Sequence, residues 1–346
     1  PILHSPGLPS SIDLITARTE FYTYPTALPT VERGSIKLDL HRRDFTFNTL
    51  ALRLDGHHYG ELHDYWGGLN DLRHGLVRVL HSLSFVDDPT RMLRAVRFEQ
   101  RFNFRIEERT LELLKEAISL IDRVSGDRIR HELNNVLSEE RASQILARLD
   151  ELGLLAAIHP DLEWDGWLQS RLEALPAKQP DADWQLPDGG KNIGLKRDLA
   201  YALWLLRLTP EQARAVSRRL KLPAELTKTI LSAIELWGDL PSALEEASPS
   251  TAVARLEGVP PLARYAVYLA TSDIHLRKIL QTFTTRWQKI APKTTGYELH
   301  RRGLPPGPAY RNILSALRAA WLDGQINTLQ GEVELLEELI SKYTGD

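Results

Sequence analysis

Apolar residues recur along this chain with two different periods, and the change falls near residue 88. Before it the apolar runs are short and alternate with polar residues, which is the strand period. Residues 12–17 (IDLITA) predict a strand. Residues 50–54 and 59–63 flank the turn dipeptide Asp55-Gly56 and predict a hairpin. Residues 76–80 predict a further strand. After Asp88 the apolar positions repeat every three or four residues, the helical period. That pattern predicts helices over 89–104, 108–121, 127–137, 140–152, 197–207, 210–220, 223–237, 241–247, 261–270, 273–290, about 309–322 and about 328–343. Gly153 and Pro160 end one block, and 303–308 (GLPPGP) interrupts another. Between the blocks, 174–194 is polar, holds three prolines and three glycines, and predicts a linker or long loop. Short strands followed by many helices predict an α+β fold class.

Length and composition narrow the picture. A chain of 346 residues is too long for one small core, and about two to four compact units are expected. With no cysteine, disulfides, cysteine-ligated zinc and thiol nucleophiles are excluded. No apolar run approaches the roughly 20 residues that span a bilayer. A cytoplasmic protein without a membrane partner is expected. The histidines are scattered, and His131-Glu132 lacks the second histidine of a zinc HExxH motif, so structural or surface roles are expected for them.

The net charge of −3 hides a local imbalance. From Arg91 to Arg105 there are five arginines and one acid, Glu99. On a helix, Arg91, Arg94, Arg97, Arg101 and Arg105 form one stripe roughly 120° wide. Five like charges on one face repel unless an anion or nearby acids compensate. A nucleoside triphosphate is one candidate, because the guanidinium fork suits phosphate. Local salt bridges to Glu99, Glu107 and Glu108 on a solvated face are the other, and spacing alone leaves both open. Asp88-Pro89 is a favourable helix start. Asp88 accepts and Arg91 donates, so side by side they match the mixed edge of a base. Upstream, Arg42-Arg43-Asp44 beside Asn48 supplies phosphate donors and polar groups for a sugar, or else begins an amphipathic helix. From Ile274 to Arg318 there are nine Lys or Arg and one acid, Glu298, with Phe283, Trp287, Tyr297 and Tyr310 among them. That mixture suits RNA phosphates and bases, or a solvated face over an aromatic core.

Taken together, RRDFTFN (42–48), DYWGGLNDLRHGLVR (64–78) and DDPTRMLRAVRF (87–98) resemble the class II tRNA nucleotidyltransferase and bacterial poly(A) polymerase family. Asp13 to Glu20, 152–162 and 295–317 extend the likeness over most of the chain. The resemblance implies a partial polymerase β-like head with a mixed sheet (1–80), a helical neck with the nucleotide-reading helix (81–165), a helical body (166–270) and an RNA-binding helical tail (271–346). It implies that Arg43 contacts nucleotide phosphates and that Asp44 and Asn48 lie near the sugar. Asp88 and Arg91 would pair with the base edge, and Arg94 and Arg97 would complete the pocket. Asp13 would be an accessory catalytic carboxylate. Arg101 and Arg105 keep a surface reading. In the tail, Arg286, Lys289, Lys293, Arg301, Arg302 and Arg311 are the candidate RNA contacts. The implied activity is template-independent addition of CMP or AMP to tRNA 3′ ends, with Mg2+ as cofactor, ATP as substrate and CTP as a further candidate. CCA addition, A addition and poly(A) synthesis share the motif and stay open.

The family's two-metal chemistry uses an Asp-x-Asp pair after a Gly-Gly-x-x-Arg-Asp loop. Only twelve residues precede Asp13, and neither motif is spelled there. Asp181-Ala182-Asp183 matches in spelling alone, inside the polar stretch. The expectation is an N-terminally truncated portion, completed by a missing segment or a companion polypeptide. The alternative is a non-catalytic nucleotide- or RNA-binding remnant.

Overall fold

The computed structural model describes residues 13–21, 30–175, 182–186, 192–243 and 247–344. In chain order the first part contains β1 (Arg18–Phe21), β2 (Thr30–Arg33), α1 (Ile36–His41), β3 (Ala51–Leu52), β4 (Leu62–His63), α2 (Gly68–His74), β5 (Leu76–Val77), α3 (Ser84–Asp87), α4 (Thr90–Phe102), β6 (Arg105–Ile106), α5 (Glu108–Ala117), α6 (Gly126–Leu137), α7 (Ala142–Glu151) and α8 (Leu154–Ile158). Helices follow: α9 (Gly166–Glu173), α10 (Asn192–Leu205), α11 (Pro210–Leu220), α12 (Ala224–Ala243), α13 (Pro249–Leu256), α14 (Pro261–Ala270), α15 (Ile274–Thr285), α16 (Gly296–Arg301), α17 (Pro308–Leu322) and α18 (Leu329–Thr344). The chain divides into two units, Pro1–Gly166 with Val216–Lys221, and Trp167–Ala215 with Leu222–Asp346. The fold class is α+β with a helical body.

Among the described residues the strands of the first unit form three two-stranded ladders rather than one mixed sheet. β1–β2 and β3–β4 are antiparallel, and β5–β6 is parallel. The strand expected at 12–17 begins later. Residues 13–17 are irregular, Leu14 is 85% and Ile15 72% exposed, and pairing starts where Arg18 meets Arg33. Residue 12 lies outside the described residues. Alternation marks residues able to form a strand, but a partner edge decides which of them do. The 50–63 hairpin forms, with two paired residues on each side.

The basic helix starts as its residues favour. Asp88 is extended, Pro89 already has helical angles, and Asp88 Oδ1 accepts the Thr90 amide at 3.0 Å and the Thr90 hydroxyl at 2.6 Å. It ends because Asn103 takes a left-handed conformation (φ 55°) and the Phe104 amide turns back to the Glu99 carbonyl at 2.8 Å. Arg105 therefore leaves the helix for β6, and the expected stripe loses its last arginine.

Phenylalanine packing aims the segment before it. Phe45 and Phe47 join Phe98, Phe102 and Phe104 in one cluster, with ring centroids 5.4 to 6.5 Å apart. Between the two rings the Thr46 amide donates to the Arg78 carbonyl at 2.9 Å and its hydroxyl to Asp71 Oδ2 at 2.7 Å, while Arg78 Nε reaches the same carboxylate oxygen at 3.0 Å. The Gly67-Gly68 pair has two separate uses. Gly67 supplies a positive φ of 73°, and Gly68 lets α2 approach Thr46 so closely that a Cβ would lie 2.3 Å from its carbonyl oxygen. Asp64 accepts the Gly68 and Leu69 amides and holds the start of α2.

In the second unit several expectations shift. The helix expected at 223–237 continues to Ala243, so no separate helix starts at 241, and residues 244–246 lie outside the described residues. Ser248 accepts the Thr251 amide ahead of Pro249 and starts α13, which periodicity alone did not suggest. Part of the expected linker is docked: Trp184 is buried against Tyr265 and Tyr268, with ring centroids 4.8 and 4.9 Å away, and Asp183 pairs with Lys289 at 2.7 Å. Residues 176–181 and 187–191 of that stretch lie outside the described residues. Leu299, Leu304, Ile313, Leu317 and Leu336 form a small apolar core. Buried Glu332 fastens the loop beside it, accepting the Thr294 amide and hydroxyl at 2.6 Å each, the Lys293 amide at 3.1 Å and Trp321 Nε1 at 2.6 Å.

Two outcomes are expected. Gly68→Ala should lower the thermal unfolding midpoint by the equivalent of roughly 1–3 kcal/mol, the usual range for overpacking. Gly166→Ala, with nothing within 4 Å of the added carbon, should have a smaller effect when both are followed by circular dichroism. Burial alone would raise the Glu332 pKa, but hydrogen bonds from Thr294, Lys293 and Trp321 outweigh it and hold the carboxyl below its ordinary 4.5. A depressed folded pKa contributes stability above the unfolded value that is lost as pH falls through the folded one. Stability of the wild-type chain should therefore decline below about pH 4.5 more steeply than that of Glu332→Gln, as denaturant titrations across this window would measure.

Candidate functional site

The first unit encloses a cavity of about 710 Å³ lined by residues from four separate stretches. Arg42, Arg43, Asp44 and Asn48 come from the segment after α1. Asp88, Thr90, Arg91 and Arg94 come from the start of α4. Asp127, Arg128, His131 and Glu132 come from the first two turns of α6, and Ile15 adds an apolar contact. Six of the residues expected from sequence thus converge: Arg43, Asp44, Asn48, Asp88, Arg91 and Arg94. Arg97 does not line the cavity, and neither does Asp13, which is exposed in the irregular segment before β1.

Each polar group in the cavity has a defined setting. Arg43 keeps 45% of its side chain exposed and is 3.5 Å from Asp39 Oδ2. Asp44 is buried. It accepts Phe45 N at 3.0 Å and Asn48 Nδ2 at 2.8 Å on one oxygen, and Arg94 Nε at 2.8 Å and Nη2 on the other. Asn48 itself lines the cavity, with its amide nitrogen committed to Asp44. Burial alone would make Arg94 easier to deprotonate, but Asp44 and Glu132 hold it more firmly protonated. Beside the cavity, burial pushes the His81 imidazole below its ordinary pKa; Asp87 opposes this, while Arg91 and His41 add to it.

The acids that face the arginine stripe are not the local ones that spacing suggested. Arg91 and Arg97 are buried, 6% and 8% exposed. The acids facing the stripe come from elsewhere in the chain. Glu132 is 3.5 Å from Arg94 and 3.8 Å from Arg97, and Glu139 is 3.3 Å from both Arg97 and Arg101. Of the local acids, Glu99 pairs with Arg148 at 3.0 Å and Glu107 with Arg78 at 3.3 Å. Nor do Asp88 and Arg91 stand side by side as a free pair. Arg91 Nη1 donates to Ser84 Oγ at 2.7 Å and Nη2 to the Arg42 carbonyl at 2.8 Å. The guanidinium beside Asp88 is that of Arg128, 2.6 Å from Oδ1. Nothing in the sequence pointed to Arg128, because forty residues, including the whole of α4 and α5, separate it from Asp88.

The candidate RNA contacts lie in the second unit and are spread over α15 to α17. Arg286, Lys293 and Arg311 are exposed. Lys289 is paired with Asp183, Arg301 with Glu298 at 3.0 Å, and Arg302 with Glu298 at 3.1 Å and Glu337 at 3.6 Å. Of the interleaved aromatics, Phe283 is core, whereas Tyr297 is 77% exposed.

The acids of the cavity do not fit a divalent cation. Asp44 is occupied by Arg94 and Asn48, Asp88 by Arg128 and Thr90, and Glu132 by Arg94 and Arg97. Among the described residues no group of three or more His, Asp or Glu is arranged to hold a metal. What the cavity offers is cationic and polar: donors for phosphate, an amide for a sugar and a carboxylate for an amino group.

Two family models match parts of the first unit. Residues 3–78 match the model described as poly A polymerase head domain, and 103–165 the one described as probable RNA and SrmB-binding site of polymerase A. The second match falls in the first unit, not in the basic stretch near the C-terminus. The A-adding tRNA nucleotidyltransferase of Geobacter sulfurreducens is 33% identical over 339 residues, covering 95% of this chain and 38% of its own length. That of Halalkalibacterium halodurans is 30% identical over 336 residues, covering 95% of this chain and 74% of its own. The solved complex of a CCA-adding enzyme with ATP shares 30% identity at a TM-score of 0.69, covering 89% of this chain and 73% of that one. The chain thus spans well under half of the Geobacter protein and about three quarters of the other two. With relatives and solved structures alike in sequence and fold over nearly its whole length, the chain belongs to the tRNA nucleotidyltransferase and poly(A) polymerase family.

Proposed function

We infer that this chain selects and holds a nucleoside triphosphate, ATP first, for addition of its nucleotide to the 3′ end of a tRNA. The observation that carries the reading is the convergence of Arg43, Asp44, Asn48, Asp88 and Arg94 on one cavity. The names of its relatives, which add A or CCA, and the solved ATP complex of one of them support ATP as the ligand. Arg43, the most exposed cation of this set, meets the phosphates. Asn48, held by Asp44, offers its amide oxygen to a ribose hydroxyl. Asp88 accepts the exocyclic amino group of the base, which adenine and cytosine both carry. Arg94, already neutralised by Asp44 and Glu132, shapes the pocket and holds Asp44 rather than supplying free charge.

Phosphoryl transfer in this family draws on magnesium, which would steady the developing charge. The acids of this cavity are committed to arginines, so in this reading the metal is held by other carboxylates, from a further segment or a companion polypeptide. The part of these residues is to bind, orient and select the nucleotide. Arg286, Lys293 and Arg311, with Tyr297 as a stacking surface, are the contacts proposed for the tRNA backbone.

Calorimetric titration with ATP tests the pocket. Arg43→Ala and Asp88→Ala should each weaken binding by about 1.5–3 kcal/mol, the usual worth of a hydrogen bond to a charged group; Arg43→Ala should leave the unfolding midpoint unchanged, whereas Asp88→Ala, which also removes the cap of α4, should lower it. Wild-type affinity in both variants would refute the assignment. For RNA, Arg286→Ala with Arg311→Ala should flatten the salt dependence of tRNA binding, the slope falling by roughly one for each phosphate that is no longer neutralised.

A further inference from the structure

We propose that a run of five rings in the first unit, His63, Tyr65, Trp66, His41 and His81, stacks the unpaired 3′-terminal nucleotides of the tRNA and leads them to the cavity. The inference rests on the nucleotide reading of the cavity and names the surface that presents the RNA end to it.

The rings follow one another without a break. His63 stacks on Tyr65 with centroids 5.5 Å apart, and Tyr65 meets Trp66 edge-on at 5.5 Å. Trp66 meets His41 at 5.3 Å, and His41 stacks on His81 at 5.6 Å. They come from β4, the segment before α2, the end of α1 and the segment before α3. Core packing does not account for the run. That task falls to the phenylalanine cluster, whose rings have no polar edge and in which Phe45 and Phe47 are buried. Every ring of the run has a polar edge, none is fully buried, and His41 and Tyr65 are exposed. Burial holds the His81 ring below its ordinary pKa, against the pull of Asp87, so at neutral pH it presents an uncharged face. Rings of this kind at a surface suit bases, which also combine a flat face with a polar rim.

The charges beside the rings suit the phosphates between such bases. Lys37 Nζ lies 5.6 Å from the centre of the Tyr65 ring, and Arg42 and Arg43 directly follow His41. The acids nearby are engaged. Asp64 accepts the Gly68 and Leu69 amides, Asp39 pairs with Arg42 and Arg43, and Asp87 stands 3.8 Å from His81. The inner end of the run adjoins the cavity through two stretches of chain. His41 precedes Arg42, and Asp87, beside His81, precedes Asp88; Arg42 and Asp88 both line the cavity. These cations and the adjoining nucleotide cavity favour an RNA end over a polypeptide as the occupant.

The test compares a tRNA carrying its unpaired 3′ nucleotides with the same tRNA trimmed to its last base pair. Binding is followed by fluorescence anisotropy for the wild-type chain, for Tyr65→Ala with His41→Ala, and for Tyr65→Phe with His41→Phe. ATP affinity and thermal unfolding are measured alongside. The wild-type chain should bind the untrimmed tRNA about tenfold or more tightly, as bases stacked on aromatic rings do. The alanine pair should bring that ratio close to one and leave the affinities for ATP and trimmed tRNA unchanged. The phenylalanine pair, which keeps the ring faces, should retain most of the preference. A tRNA with 4-thiouridine in its unpaired 3′ nucleotides should photocrosslink to the ring run, as mass spectrometry of the peptides would map. The crosslink uses the wild-type chain and decides the matter if the alanine pair does not fold. If the alanine pair keeps the preference, the wild-type chain shows none, or the crosslinks fall outside the run, the inference is overturned, and ATP binding leaves the nucleotide reading standing. If the wild-type chain prefers the untrimmed tRNA and crosslinks at the rings yet binds no ATP, it is the nucleotide reading that fails.

Discussion

Cations buried on one helix need acids from somewhere, and the first unit is arranged around that requirement. Removing a guanidinium from water costs several kcal/mol unless a carboxylate and hydrogen bonds replace the solvent. Arg94 and Arg97 are compensated by Asp44 and Glu132, and Arg97 and Arg101 by Glu139. These acids lie on two other stretches of chain, so the ion pairs tie α4 to the segment after α1 on one side and to α6 on the other. The cavity lies where those three stretches meet. Charge compensation and pocket formation are therefore one arrangement.

This arrangement separates the stripe into groups with different work. Arg91 turns inward to Ser84 and Arg42 and acts as a brace. Arg94 keeps the Asp44 carboxylate in place. Arg97 and Arg101 share Glu139 at the far end, with their guanidinium groups over Phe98 and Phe102 at 4.8 and 5.2 Å. Free donor capacity facing the cavity belongs to residues outside the stripe, Arg43 and Arg128. Fixed acceptors and donors around an open space favour a ligand carrying both phosphate and a polar base edge, at little cost in reorganisation.

Much of this was legible in the chain itself. The change of period near residue 88, the Asp88-Pro89 helix start, the hairpin around Asp55-Gly56 and the bounds of α11 and α14 follow from local rules, and the structure keeps them. Arg43, Asp44 and Asn48, close together in the chain, do reach one cavity, while Phe45 and Phe47 between them are buried. Local chemistry was sufficient there because each feature involves neighbours in sequence: a cap, a turn, or one short segment. The Asn103 stop is also local, but its signal, one asparagine after an apolar residue, is too common to end a helix on its own.

What the sequence by itself determined, then, is which residue types stand together along the chain: an arginine-rich helix with an acid at its start, a second arginine–aspartate segment, and a basic aromatic stretch near the C-terminus. Tertiary structure alone decided how that chemistry is shared out. It set Glu132 and Glu139 against arginines 35 or more residues away in the chain, withdrew Arg91 into the interior, and brought Arg128 to Asp88. The reason is physical. Helical periodicity orders side chains around one axis, while a charge's partner is chosen by which surfaces pack together and by the cost of leaving it unpaired when they do.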